Sequence, residues 1–173
     1  MTEQQAVSIV VMGTQGVGKS TVGRSLAEAL GVAFIDGDDL HPAHNIALMA
    51  AGTPLTDADR EPWLHTVGET LAEHASSGGA VVACSALRRR YRDLIRGHVP
   101  GAYFVEPWGP MELIAERVAA RDHEYMPATL LQSQYDTLEP LADDEDGIRV
   151  SVVATPAEIV DDVIAHYRRT HAS

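Results

Sequence analysis

Eight residues, Gly13-Thr14-Gln15-Gly16-Val17-Gly18-Lys19-Ser20, constrain this chain more than any other stretch. They match the pattern G-x-x-x-x-G-K-[ST], in which glycines let backbone amides converge on phosphate oxygens. The apolar run Val7-Ser8-Ile9-Val10-Val11-Met12 before them reads as a buried strand. Thr21 to Leu30, apolar at Val22, Leu26 and Leu30 and stopped by Gly31, reads as a helix. Strand, glycine turn and helix together aim a helix N-terminus, with its partial positive charge, at the ligand. The expected nucleotide cradle is therefore Gly13, Thr14, Gln15, Gly16, Val17, Gly18, Lys19, Ser20 and Thr21. Lys19 would bridge phosphates, and Ser20 would place its hydroxyl on Mg²⁺. Lys19 is the only lysine among the 13 cationic side chains; the rest are arginine. A compact ammonium fits between β- and γ-phosphates better than a planar guanidinium does.

A formal net charge of -12 argues against nucleic acid or an anionic membrane as the main partner. A phosphate site in such a chain must be locally positive, so arginine clusters carry weight. The single cysteine, Cys84, lies in an apolar run and reads as a buried small hydrophobe; no disulfide framework exists. The N-terminal stretch lacks a basic region, and its apolar run is too short for a signal peptide or a membrane span. The expectation is a cytoplasmic protein.

Further strands are expected at Val32–Asp36, Ala80–Cys84, Ala102–Val105 and Ile148–Val153. Between them, helices are expected over Ala43–Ala51 and from Thr56 onward, with Trp63, Leu64, Val67 and Leu71 as its apolar stripe. Others follow through the basic run Leu87–Arg96, from Pro110 with Leu113, Ile114 and Val118 inward, and over Ala128–Leu138. Thr155-Pro156-Ala157-Glu158 reads as a capping box that opens a last helix. The acidic run Asp143-Asp144-Glu145-Asp146 reads as a solvated loop. Strands alternating with helices imply an α/β domain, a parallel sheet covered on both faces, spanning residues 1–173 without a linker. Ligands of such sheets bind beyond the carboxyl ends of the strands. That rule gathers Gly13–Ser20, Asp36, Asp38, Ser85 with the arginines behind it, and the loop after Val153 on one edge.

Asp36 and Asp38 are two apart, so an extended backbone points both to one side. One carboxylate could hold a metal through water and the other accept a proton from a hydroxyl; both could equally be solvated. His41 and His44 suit a metal pair by spacing, but a magnesium nucleotide site prefers oxygen ligands and no third ligand is evident. The basic run Arg88-Arg89-Arg90-Tyr91-Arg92 could form a nucleic-acid patch, which the net charge supports poorly. On a helix at most one or two of these arginines point into a site at the strand end; Arg88, nearest the strand, is the best candidate and the others read as surface. Arg117 and Arg121 share a helix face beside the charged segment Arg121–Pro127, which has the character of a lid. They could close over a transferring phosphoryl group, or form a solvated face with Glu116 and Asp122.

Several blocks go beyond generic chemistry. They are Asp38-Asp39-Leu40-His41-Pro42, Asn45-Ile46, Met49, Gly52-Thr53-Pro54-Leu55, Asp57, Asp59-Arg60 and Pro62-Trp63-Leu64. Cys84-Ser85-Ala86-Leu87, Tyr91-Arg92-Asp93-Leu94, Arg96, Arg117, Arg121, His123, Met126, Leu130, Ser133-Gln134 and Leu138-Glu139 continue the series. Together they resemble the signature of the gluconokinases from about Gly13 to Pro140. The resemblance implies a three-layer P-loop kinase fold with strand order 2-3-1-4-5, helices on both faces and a mobile lid. It implies ATP-dependent phosphorylation of D-gluconate at the 6-hydroxyl, Mg²⁺ dependence and often a homodimer.

On that resemblance, Asp36 serves the metal through water and Asp38 meets the substrate hydroxyl, as in the Asp-x-Asp of shikimate kinases. Arg60 pairs with the carboxylate or hydroxyls of gluconate, His41 donates to a substrate oxygen, and Ser85 and Arg88 border the same ligand. The chain departs from the family at Gln15, where serine is common, at Arg88, where lysine is common, and at Tyr125, where phenylalanine is usual. The nearest rival is a shikimate-like kinase of the same fold. A GTPase switch would need an Asn-Lys-x-Asp guanine reader, which a chain with one committed lysine does not contain. A non-catalytic nucleotide-binding module is the third alternative.

Overall fold

The computed structural model describes residues 5–120 and 128–171. Arg121 and the expected lid segment 121–127 lie outside the described residues. A five-stranded, all-parallel sheet runs in the order β2-β3-β1-β4-β5, the order the resemblance implied. Its strands are β1 (Val7–Val11), β2 (Ala33–Asp36), β3 (Gly79–Ala83), β4 (Tyr103–Trp108) and β5 (Gly147–Ser151). The central β1 pairs with β3 from Val7–Gly79 to Val11–Ala83, and with β4 from Ile9–Tyr103 to Val11–Val105. With both faces covered, β1 and β3 are almost wholly apolar runs, as buried parallel strands are.

One face carries α3 (Asp57–His74) and α4 (Arg89–His98). Trp63, Leu64, Val67, Leu71, Tyr91 and Ile95 from these helices meet Val10, Met12, Val82 and Phe104 of the sheet. The other face carries α1 (Lys19–Leu30) and α7 (Pro156–Thr170), whose Val22, Leu26, Ile159, Val160 and Val163 cover Ile9, Val11, Val81 and Val105. A third apolar cluster joins the phosphate loop to α5 (Met111–Ala119) and α6 (Ala128–Thr137) through Val17, Ile114, Val118 and Leu131. Helix ends follow their chemistry. Gly31 closes α1 in the left-handed conformation, and Thr56 with Asp59 forms a reciprocal capping box on α3.

Four local expectations are corrected. Asp38 does not continue the extended strand: Gly37–Leu40 is a short 3-10 helix, and Asp36 caps it by accepting from the Asp38 N–H at 3.0 Å. A side chain that can satisfy an orphan amide competes with strand continuation. β4 runs on through Pro107, beyond the expected Val105. Phe104 N–H goes to Asp146 O, so alternate residues bond β5, whereas Val105 and Pro107 face β1, whose pairing stops at Val105. The missing N–H of Pro107 therefore falls where no ladder partner is needed.

The acidic run is not all solvated, and the basic run is not all surface. Glu145 and Arg92 are buried and paired, Arg92 Nε donating to Glu145 Oε1 at 2.7 Å and Nη2 to Oε2 at 2.9 Å. Arg96 adds a second guanidinium to the same carboxylate. Burial raises the Glu145 pKa, but Arg92, the Ala142 N–H and Arg96 outweigh it and bring it down to about 2. Arg92 also donates to Ala86 O at 3.1 Å. Ala86 is a non-glycine residue at φ 28°, in the turn that carries Ser85. A buried ion pair thus props a strained turn at the carboxyl edge.

Candidate active site

The phosphate loop is shaped by backbone. Gly13, Gly16 and Gly18 adopt φ of 129°, 88° and 89°, which side-chain-bearing residues rarely take. Gly16 also has no room for a side chain, since a Cβ there would lie 2.5 Å from Val118 Cγ2. The loop's first limb is tied to the turn after β3 by Gly13 N–H donating to Ser85 O at 3.4 Å. Lys19 curls back over it, its ammonium donating to Gly13 O at 3.0 Å and Thr14 O at 3.1 Å. Gly18 forms the N-cap of α1, so Lys19, Ser20 and Thr21 make its first turn. Gly13, Thr14, Gln15, Gly16, Val17 and Gly18 are thus one continuous cradle, with Val17 turned into the core.

Beside the loop stand the two aspartates. Gly37 fits between them because a Cβ there would collide with Ala83 O, so β2 and β3 hold the turn close to the loop. Asp38 faces solvent, yet its pKa is raised, first by partial desolvation and then by Asp36, against the pull of Lys19 and His41. Burial lowers the Lys19 pKa while Asp38, Cys84 and Asp36 hold it up. The loop cation and the turn carboxylate therefore feel each other across the edge of the sheet. Cys84 is buried and its thiol is pushed up to about 12, so it serves as packing.

Side chains of three elements build the opposite rim. Trp63 of α3 donates from Nε1 to Gly37 O at 2.7 Å, and its ring stacks on His41 with centroids 4.0 Å apart. Asn45, on α2 (Ala43–Ala50), donates from Nδ2 to Asp59 O at 2.9 Å and to His41 Nδ1 at 3.1 Å. A carbonyl can only accept, so Asp59 O fixes which end of the amide points inward. His41 Nδ1 is then an acceptor, and the ring proton sits on Nε2. Burial lowers the His41 pKa; Asp38 pulls it up and Arg60 pushes it down. His44 turns away, with Nε2 3.0 Å from Asp59 Oδ1, so the two histidines do not form a metal pair.

Arg60 and Arg88 are brought together around Asp57, a residue that the sequence reading placed in the family signature but not among the site residues. Asp57 Oδ2 lies 3.8 Å from Arg88 and 3.0 Å from Arg90, while Oδ1 lies 3.9 Å from Arg60 and accepts from the Tyr91 hydroxyl. Arg60 also donates to Tyr91 Oη at 3.2 Å. The hydrogen bond from Tyr91, helped by Arg90, Arg88 and Arg60, lowers the Asp57 pKa against an opposing desolvation. Arg90 is exposed, as expected, and reaches this cluster from the surface. Arg117 is exposed on the last turn of α5, one residue before the Val118 that touches Gly16.

Glu106 was also unforeseen. It is fully buried in β4, accepts on Oε1 from Leu141 N–H at 2.7 Å and Arg149 at 3.2 Å, and its Oε2 has no partner among the described residues. It borders a cavity of about 280 Å³ behind Gly13 and Thr14, with Trp108, Tyr135 and Arg149. The signal that could have found it is an acid inside an otherwise apolar strand.

A family profile described as an AAA domain matches residues 9–141. The chain is 45% identical over 161 residues to a gluconokinase of Gluconobacter oxydans, covering 92% of this chain and 90% of that one. It belongs to the gluconokinase family. The crystal structure of a gluconokinase from Sinorhizobium meliloti superposes with a TM-score of 0.88 at 46% identity, over 97% of this chain and 95% of that one. A shikimate kinase from Aquifex aeolicus shares the fold, with a TM-score of 0.60, 95% and 98% coverage and only 18% identity. Membership of the gluconokinases makes the chain a kinase, and the AAA profile with the phosphate loop makes it a P-loop nucleotide enzyme. No helix among the described residues is long and apolar enough to cross a membrane.

Proposed function

We propose that the chain transfers the γ-phosphoryl group of ATP to the 6-hydroxyl of D-gluconate, giving 6-phospho-D-gluconate and ADP. The observation that carries this reading is geometric: the phosphate loop closed by Lys19 and the Asp36–Asp38 turn, packed through Gly37 against Ala83 O, lie at the same carboxyl edge of the sheet. The identity to gluconokinases over nearly the whole chain supports the choice of acceptor.

The loop amides and Lys19 take the triphosphate, for which Lys19 exchanges the Gly13 and Thr14 carbonyls for phosphate oxygens. Ser20 and Asp36 offer oxygen donors of the kind Mg²⁺ takes, and Asp36 has Oδ2 free of the turn that its Oδ1 caps. When bound, the metal neutralises charge on the phosphates. Asp38, a stronger base than a free carboxylate, accepts the proton of the 6-hydroxyl. His41 donates from Nε2 to a substrate oxygen, its tautomer set by Asn45. Arg60, Arg88 and Ser85 receive the gluconate carboxylate and hydroxyls, the ligand's carboxylate competing with Asp57 for the guanidinia. Arg117, together with Arg121, offsets charge on the transferring group. Catalysis is then positioning and charge neutralisation within a single kinase domain, with 121–127 as its lid.

A coupled ADP-release assay over a panel of sugar acids and shikimate tests the reading. Turnover with gluconate and a phosphorus-coupled NMR signal at C6 of the product is expected. Turnover with shikimate and none with gluconate would move the chain to the rival reading.

A further inference from the structure

We propose that Gln134 is a positioning residue for the phosphate loop, holding it in its ligand-ready shape before nucleotide arrives. The proposal rests on the reading that the loop binds the nucleotide phosphates. Gln15 N–H, in the middle of the loop, donates to Gln134 Oε1 at 2.6 Å, across 119 positions of sequence. Gly13 N–H and the Lys19 ammonium tie the same limb to Ser85 and to the loop's own carbonyls. The Gly16 limb rests on Ile114 and Val118. Gln134 is thus a side-chain tether reaching the loop from outside the β1–α1 unit.

The tether is itself fixed. Tyr135, next to Gln134 on α6, donates to Gly109 O at 2.8 Å, and Leu131 packs with Val17, Ile114 and Val118. Helix α6 therefore cannot slide along the loop without breaking a hydrogen bond and opening an apolar cluster. The chemistry of the acceptor also matters. A neutral amide oxygen can hold Gln15 N–H beside an incoming polyanion, where a carboxylate would repel it. Loop residues with positive φ have many alternative conformations, and ordering them in advance removes that cost from nucleotide binding.

The test uses Gln134→Leu and Gln134→Glu beside the unaltered chain. It measures the ADP dissociation constant by calorimetry, KM for ATP and for gluconate, thermal midpoint, and exchange of the Gln15 amide without nucleotide. Loss of one hydrogen bond predicts a rise of roughly three- to tenfold in the ADP constant and the ATP KM for Q134L. Gluconate KM and thermal midpoint should hold, while the Gln15 amide exchanges faster. Q134E keeps the acceptor, so its Gln15 amide stays protected, yet it binds ADP more weakly than the unaltered chain. Unchanged exchange at Gln15 in Q134L, or ATP and gluconate constants rising together as the midpoint falls, would overturn the positioning role. Failure of the unaltered chain to bind ADP would instead remove the nucleotide reading on which it rests.

Discussion

The two rims of the proposed site, one for nucleotide and one for acceptor, are made of different material. The nucleotide rim is main chain: converging amides, carbonyls that park Lys19, and glycines whose φ no other residue takes easily. The acceptor rim is side chain: Trp63 under His41, Asn45 between His41 and Asp59, and Asp57 collecting guanidinia from α3 and the start of α4. A main-chain site tolerates changes of side chain but not of backbone conformation. A side-chain site has the opposite sensitivity, because each residue presents a particular atom to the ligand.

The sharpest break in that contrast comes from Asp38→Asn. Losing a general base should lower kcat by about 10²–10⁴-fold while KM for ATP stays near normal; unchanged turnover would take Asp38 out of the base role. Arg60→Ala should raise KM for gluconate by roughly ten- to a hundredfold, the worth of a charge-assisted hydrogen bond, with ATP KM little moved. A larger rise for ATP would shift Arg60 to the nucleotide rim. Gly16→Ala probes the other material. The added methyl meets Val118 at positive φ, so stability should fall by about 1–3 kcal/mol in denaturant titration, and ATP KM should rise more than gluconate KM.

The smallest effect is in pH. Asp38 has a raised pKa, so activity that needs its charged form is present above that pKa and is lost as pH falls through it. The acid limb of kcat/KM should therefore lie above the ordinary carboxylate range. In Asp36→Asn, which removes one cause of the shift, the limb should move to lower pH. A limb that stays in place would mean that another group governs it.

The same division explains what could be read from sequence. The phosphate loop is a local pattern in contiguous residues, and β1, α1 and their Gly31 stop follow from apolar spacing. The acceptor rim depends on contacts between residues tens of positions apart, so it became legible only through family resemblance. Even then, the aspartate turn was misjudged, because the hydrogen bond from Asp38 N–H to Asp36 is invisible to strand periodicity. Glu145 and Arg92 show the general difficulty. Each sits in a run of like charges that composition assigns to water, yet the two are 53 positions apart and bury one another. Removing either should be costly, since it leaves a lone charge inside the protein.

The chain's two tryptophans fall one to each rim. Trp63 is 2% exposed and stacked on His41, whereas Trp108 is 39% exposed, lies under the Arg149 guanidinium and borders the cavity behind Gly13 and Thr14. The molecule therefore carries two optical reporters of different colour, a shielded one beside the proposed acceptor site and a wetter one behind the phosphate loop. Emission from Trp108→Phe should follow gluconate and emission from Trp63→Phe should follow nucleotide, letting the order in which the two ligands arrive be watched without any added label.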